Sequence, residues 1–173
     1  QHASVYVRDM SVTSGSPVLL VNASAHGTPS DDNGFGSSVV ISGDGRLVAF
    51  TSGASNLVSG VSGGPEVYVK NLETGEVVVA SASSTGEPGG SFAEITPMSF
   101  SSDGRFLVFD SGAQAVVEGD TNGLKDVFVK DLETGAIARV SVGVDGTQVD
   151  GHTRVIGISD DGSSITFYSN ASS

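Results

Sequence analysis

Residues 118–126 form the segment of the sequence that is best suited to bind a metal ion. Its acidic and amide side chains, spaced two or four residues apart, are Glu118, Asp120, Asn122 and Asp126. Ca²⁺ takes about six to eight oxygen ligands, and a glycine such as Gly123 permits the sharp turn that points them inward. The spacing resembles a short calcium loop with Glu at its first position. It predicts a structural Ca²⁺ site, with a solvated turn in a long loop as the alternative.

Three other groups of residues carry weaker signals for chemistry. Asp31-Asp32-Asn33-Gly34 is rich in oxygen, but no further carboxylate follows closely, which favours a turn over a cation site. Gly60-Val61-Ser62-Gly63-Gly64 matches the Gly-x-Ser-x-Gly pattern of hydrolase nucleophiles, yet that pattern needs a following helix and we predict a strand at 66–70. His26 and His152 show no metal-ligand spacing. Solvated loop histidines are the simpler interpretation, and a histidine-dependent lyase stays open.

Composition and charge restrict the class of protein and its partners. The chain has 173 residues, with 8 Lys and Arg against 20 Asp and Glu, and its formal net charge is -12. Nucleic acid would be repelled, so no nucleic-acid binding is expected. The longest apolar runs, 18–21 and 77–80, are too short to cross a bilayer, so no membrane insertion is expected. The length suits a single domain over 1–173.

Three short motifs recur along the chain at intervals of about 60 residues, which indicates internal repeats. A Val-Tyr/Phe-Val motif followed by a cation stands at 5–9, 67–71 and 127–131. Ser-x-Asp-Gly stands at 42–45, 101–104 and 159–162, and Leu-Glu-Thr-Gly at 72–75 and 132–135. Alternating apolar residues follow each Asp-Gly, which predicts a tight turn and then a strand. Each repeat therefore reads as four strands joined by an Asp-Gly turn, a long loop and a Glu-Thr-Gly turn.

A repeated four-stranded antiparallel unit without helical periodicity predicts an all-β propeller. Two complete blades are expected at 39–84 and 98–145. Half blades are expected at the ends, with strands three and four in 1–25 and strands one and two in 154–173. The chain thus holds three blade equivalents, whereas propellers have about four to eight blades. We expect half of a six-bladed ring, completed either by a second copy in a homodimer or by a missing half-propeller chain.

The motifs resemble those of a known family. Ser-x-Asp-Gly-Arg at 101–105, Asp-Thr-Asn-Gly at 120–123 and Asp-Val-Phe-Val at 126–129 are similar to the TolB-like (WD-repeat-like) β-propeller repeat of bacterial secreted and periplasmic proteins. The resemblance implies a propeller and a secreted or periplasmic location. The family includes protein-binding propellers, non-catalytic propellers of peptidase relatives and some polysaccharide lyases, so the fold alone does not select a function.

The predicted connections bring the long loops together on one face of the propeller, which we call the long-loop face. These loops span 24–38, 53–66, 85–97, 112–126 and 143–154. Binding residues concentrate on loops, so this face is expected to recognise a protein or glycan partner. We therefore expect a non-catalytic binding module with structural calcium. The alternatives are a polysaccharide-active, lyase-type propeller and the propeller fragment of a larger secreted enzyme.

Overall fold

The computed structural model describes residues 4–11, 17–32, 38–61, 64–89 and 98–172. These residues form twelve β-strands and contain no helix, hence none long and apolar enough to cross a membrane. The strands are β1 (Tyr6–Arg8), β2 (Val18–Leu20), β3 (Val39–Ile41), β4 (Leu47–Ser52), β5 (Glu66–Asn71), β6 (Val77–Val79), β7 (Met98–Phe100), β8 (Phe106–Ser111), β9 (Asp126–Asp131), β10 (Ile137–Arg139), β11 (Thr153–Ile158) and β12 (Ile165–Ser169). The all-β prediction is confirmed.

All strand pairs are antiparallel and join strands that follow one another in the sequence. β1 and β2 form the N-terminal hairpin, and β11 and β12 form the C-terminal hairpin. Between them lie two four-stranded units, the first sheet (β3–β6) and the second sheet (β7–β10). In both sheets the strand after the Asp-Gly turn pairs with the strand that carries the Val-Tyr/Phe-Val motif. The strand order within each sheet matches the order predicted from the repeats.

The Ser-x-Asp-Gly motif closes its turn with its own side chains. In the first sheet, Asp44 Oδ1 accepts hydrogen bonds from Ser42 Oγ at 2.6 Å and from the Arg46 N–H at 3.0 Å. Gly45 adopts a φ of 74°, a conformation that glycine reaches without steric cost. The same bonds recur in the other two copies, and hydrogen bonds from Ser159 and Ser163 lower the pKa of Asp161 to about 2. The motif therefore has a structural role.

The sheets and hairpins pack side by side in chain order. A cluster that includes Phe50 and Tyr68 joins the N-terminal hairpin to the first sheet. A second cluster, around Val69 and Phe109, joins the two sheets, and a third, around Val155, joins the second sheet to the C-terminal hairpin. Since successive residues of a strand point to opposite faces, β5 contributes to a cluster on each of its faces. The arrangement is propeller-like.

A buried lysine links each four-stranded sheet to the preceding unit. Lys70 Nζ of β5 donates to the carbonyl of Ala23, beyond β2, at 2.9 Å. Lys130 Nζ of β9 donates to the carbonyl of Ala82, beyond β6, at 3.0 Å. Burial lowers the pKa of both lysines. We call this repeated contact the lysine clamp; its acceptor could not be identified from the motif alone.

Removing one lysine clamp should destabilise the protein. In Lys130→Met the unbranched apolar stem is kept, but the buried carbonyl of Ala82 loses its donor, which costs about 1–3 kcal/mol. Urea unfolding followed by circular dichroism measures the loss. Arg46→Met is the matched control, because the Arg46 side chain is 58% exposed and its surface ion pairs contribute at most about 1 kcal/mol. Equal losses in the two variants would contradict a role for the clamp.

Candidate functional site

Asp120 and Asp126 are buried where the long loop of the second sheet enters β9. Asp126 is fully buried and Asp120 is 7% exposed. Asp126 Oδ1 accepts a hydrogen bond from Ser141 Oγ at 2.6 Å, and Ser141 Oγ accepts one from the Val127 N–H at 3.0 Å. Ser141 follows β10, so these bonds hold the exit of β10 against the start of β9.

The two carboxylates share one amide and one guanidinium. Gln148 Nε2 donates to Asp120 Oδ1 at 2.8 Å and to Asp126 Oδ2 at 3.2 Å. Arg139 Nη1, from β10, lies 3.6 Å from Asp120 Oδ1 and 3.5 Å from Asp126 Oδ2. The sequence analysis found both carboxylates but neither Arg139 nor Gln148. We call these four residues, with Ser141, the buried ion network.

Charge, rather than complete hydrogen bonding, holds the buried ion network together. Burial raises the pKa of Asp120, and the neighbouring Asp126 charge adds to this, while the Gln148 hydrogen bond and the Arg139 charge act against it. Asp120 Oδ2 and the Nε and Nη1 atoms of Arg139 are buried without a hydrogen-bond partner. The guanidinium therefore serves mainly as the counter-charge of the carboxylates.

The first sheet shows the same position without the ion pair. Glu66 takes the place of Asp126 and is hydrogen-bonded by Ser81, the counterpart of Ser141. Val79 faces Tyr68 across β5 and β6 as Arg139 faces Phe128 across β9 and β10. Val61 follows the positive-φ Gly60 as Asp120 follows the positive-φ Gly119. The cation and one of its carboxylates are thus replaced together by two apolar residues, which marks them as a structural pair.

The structure brings Asp120 and Asp126 together but gives the other two predicted metal ligands separate contacts. Asn122 Oδ1 accepts from the Leu124 N–H at 2.8 Å, and its amide donates to the Val149 carbonyl at 3.1 Å. Glu118 is exposed and lines a groove between the sheets. No cluster of three or more His, Asp or Glu residues suited to a metal ion occurs among the residues with described positions. Calcium binding by the four residues stays a prediction.

The weaker candidates take part in local loop contacts. Asp31 accepts hydrogen bonds from the Ser55 N–H and Oγ, and Asp32 accepts one from Ser52 Oγ, so both hold the loop after β4. His152 Nδ1 accepts a hydrogen bond from the Lys125 N–H at 3.1 Å. Asn33, Gly34, Ser62 and Gly63 lie outside the described residues.

An open groove of about 470 Å³ lies between the two four-stranded sheets on the long-loop face. Its walls are the loop that follows β6 and the loop that follows β8, and Ile137 of β10 contributes to its lining. The polar residues of the walls are Ser83, Ser84, Thr85, Glu87, Gln114 and Glu118, and they alternate with apolar ones such as Ala115, Val117 and Ile137. The groove can therefore offer hydrogen bonds and negative charge to a ligand.

Removing only the cation of the buried ion network should destabilise the protein strongly. In Arg139→Val, Asp120 and Asp126 stay buried without their counter-charge, which costs about 3–5 kcal/mol. The double variant Asp120→Val, Arg139→Val copies the first sheet and should regain most of that loss. Urea unfolding of the wild type, both single variants and the double variant forms a mutant cycle that measures the coupling. A double variant no more stable than Arg139→Val would argue against the pairing.

The pH dependence of the same variants provides a second measure. Without Arg139 the folded-state pKa of Asp120, which burial already raises, rises further above the value of about 3.9 in the unfolded chain. A carboxyl group with a raised folded-state pKa destabilises the fold above that pKa, and the penalty vanishes as the pH falls to the unfolded value. The deficit of Arg139→Val should therefore be larger at pH 7 than near pH 4. A deficit independent of pH would mean that lost packing, not charge, causes it.

Comparison with known proteins identifies the fold. No protein-family model and no curated protein matches the sequence. The crystal structure of TolB from Acinetobacter baumannii is 21% identical over 98% of this chain and 32% of that chain, with a TM-score of 0.55. A protein assigned as TolB from Agrobacterium tumefaciens is 16% identical over 96% of this chain and 47% of that chain, with a TM-score of 0.53. The chain thus spans between about a third and a half of these proteins, and its fold is TolB-like.

Proposed function

We propose that the chain is a non-catalytic β-propeller module that binds a protein partner with a basic segment through its long-loop face. The repeated four-stranded sheets, packed side by side, support the propeller. The single observation that carries the binding function is the groove between the two sheets. A secreted or periplasmic location, which the TolB-like resemblance implies, belongs to the same proposal.

The chemistry of the groove suits an extended polypeptide. Hydroxyl and amide groups of Ser83, Thr85 and Gln114 stand along its walls, where they can bond to a backbone. Val117 and Ile137, both half-buried, supply apolar surface beside them. Clefts of a few hundred Å³ with apolar surface and a few polar groups are typical of binding sites.

The charge of the groove favours a basic partner over a neutral glycan. Glu87 and Glu118 are both exposed, and they are the charged residues among the described lining of the groove. The chain as a whole carries a formal charge of -12. A field of one sign accelerates the approach of an oppositely charged partner and rejects partners of the same sign.

Contacts within the chain also favour binding over catalysis. The buried carboxylates Asp120 and Asp126 face Arg139 and Gln148, which engage them in structural contacts. The polysaccharide-active alternative draws on loop histidines, and His152 holds the Lys125 backbone through Nδ1. These groups work as parts of the scaffold on which the groove is built.

Neutralising the groove should weaken binding to basic peptides. We expect the fluorescently labelled chain to select Lys- and Arg-rich sequences on a peptide array when a metal chelator is present. Under the same conditions it should bind a glycan array more weakly than the peptide array. Glu87→Gln, Glu118→Gln should lower the apparent affinity for the selected peptides at least about tenfold, a change of about 1.4 kcal/mol. Raising the salt concentration should weaken binding further by screening.

The matched control carries the same change of charge at the opposite end of the strands. Glu73 and Glu76 lie at the turn between β5 and β6, so Glu73→Gln, Glu76→Gln should leave peptide binding unchanged. An equal loss in the control would assign the effect to net charge rather than to the groove. Preferential binding to the glycan array would overturn the protein partner in favour of a glycan.

Structural calcium is the remaining element of the proposal. An ion held by Glu118, Asp120, Asn122 and Asp126 would share two carboxylates with Arg139. Because such an ion binds only the folded state, free Ca²⁺ at about 100 times its Kd should add about 2.7 kcal/mol of stability. Thermal unfolding with Ca²⁺ and with chelator measures this, and Glu118→Gln should reduce the response without touching the buried ion network. A wild-type melting temperature indifferent to both conditions would refute calcium binding.

A further inference from the structure

The two glutamates of the groove stand at positions where the other repeats carry neutral residues. The Glu87 carbonyl accepts a hydrogen bond from the Ser83 N–H at 2.8 Å, which closes the turn after β6. The matching bonds after β2 and β10 are accepted by the carbonyls of Thr28 and Thr147, each also at 2.8 Å. The three described turns therefore share one backbone arrangement, and of these three the turn at the groove carries a charge at this position.

Glu118, on the other wall, departs from the repeat in the same way. It precedes Gly119, whose φ is 80°, as Ser59 precedes Gly60, whose φ is 87°. Because Thr and Ser are accepted at the two positions in the preceding repeat, the fold requires a carboxylate at neither. Carboxylates that the fold does not require, on both walls of one groove, point to a ligand.

Neither glutamate forms an ion pair with a cation among the residues whose positions are described. Glu73, at the opposite end of the strands, does have such a neighbour, since its carboxylate lies 4.0 Å from Arg46 Nε. Glu87 and Glu118 are exposed, so a cation from outside the chain can reach both. Their charges are available to a ligand of the groove.

Apolar surface accompanies these charges. Val117 and Ile137 are half-buried in the lining of the groove. On the facing wall Ser83 Oγ and Thr85 Oγ1 lie 2.9 Å apart and bond to each other. An aliphatic stem with a cationic end suits such a lining, because long basic side chains bury their methylene groups on apolar surface and keep the charge in polar surroundings.

We propose that the partner docks through a lysine side chain whose stem lies on Val117 and Ile137 and whose ammonium group lies between Glu87 and Glu118. This inference rests on the proposed function, since it names the group of the basic partner that the groove recognises. A compact ammonium group has three donors that can meet carboxylates from two walls. The planar fork of arginine pairs best with one carboxylate or stacks on an aromatic ring, and none of the described residues that line the groove is aromatic.

Both walls hold their glutamate on a fixed backbone. Asp120, two residues after Glu118, accepts a hydrogen bond from Gln148 and is paired with Arg139. The turn that carries Glu87 is closed by backbone bonds at both of its ends. Binding therefore needs little ordering of the protein, which lowers its entropic cost.

Matched peptides test the choice of lysine. A peptide with one lysine, selected on the array, is compared by fluorescence anisotropy with copies in which the lysine is acetylated or replaced by arginine. Acetylation removes the charge and keeps the stem, so the affinity should fall at least about tenfold. Arginine keeps the charge, so the loss should be smaller, at least about threefold. The free diamine cadaverine lacks a peptide backbone and should compete at least about a hundredfold more weakly than the lysine peptide.

A variant that copies the preceding repeat tests the two carboxylates. Glu87→Thr, Glu118→Ser introduces the residues found at the same positions there, so the melting temperature should stay near that of the wild type. The affinity for the lysine peptide should fall at least about tenfold. Because one ammonium group contacts both carboxylates, the losses of the two single variants should be coupled in a mutant cycle.

The outcomes separate this inference from the proposed function. Equal affinities for the lysine and arginine peptides would overturn lysine docking and leave a basic partner standing. Additive losses in the mutant cycle would mean two separate cations and would overturn it as well. Cadaverine that binds as tightly as the peptide would make a free amine the ligand. A chain that binds no basic peptide would overturn both the inference and the proposed function.

Discussion

Burial of the central strands on both faces is the constraint on which the rest of the molecule depends. Tyr68 of β5 belongs to the cluster shared with the N-terminal hairpin, and Val69 belongs to the cluster shared with the second sheet. A sheet of this kind cannot leave either face in water, so it needs a packed neighbour on each side. Side-by-side packing of successive sheets follows. A polar side chain buried in such a strand needs a partner, and for the lysines the preceding unit supplies it through the carbonyls of Ala23 and Ala82.

The two sheets solve one local problem in two ways. At the start of the third strand, the second sheet holds Asp120 against Arg139, and the first sheet holds Val61 and Val79 at the same positions. The carboxylate that both sheets keep, Glu66 or Asp126, is hydrogen-bonded by the serine after the fourth strand, Ser81 or Ser141. Replacing a buried ion pair by apolar residues of similar packing is often neutral for stability, whereas removing one partner is costly. The ion pair and the two valines can therefore replace each other in a repeat only when both positions change together.

The parts of the fold that were predictable from the sequence are those whose contacts are local. The Ser-x-Asp-Gly turn forms its bonds within a few residues, as Ser42 and Asp44 show, so its role was evident from the motif. The oxygen-rich loop was recognised, but the contacts of Asp120 with Arg139 depend on the register of β9 against β10, and its contact with Gln148 spans 28 residues. A local spacing cannot encode such a register. The available signal was the joint replacement by Val61 and Val79 in the preceding repeat.

In both lysine clamps the donor lies later in the sequence than its acceptor. Each clamp runs from a later sheet to the unit before it, so the later sheet carries the buried ammonium group and the earlier unit carries only a carbonyl. For this contact, the later unit therefore depends on an acceptor that the earlier unit supplies. Chains fold from the N-terminus as they emerge during synthesis. The acceptor of each clamp thus leaves the ribosome before its lysine, and the order of translation is the order in which the sheets depend on one another.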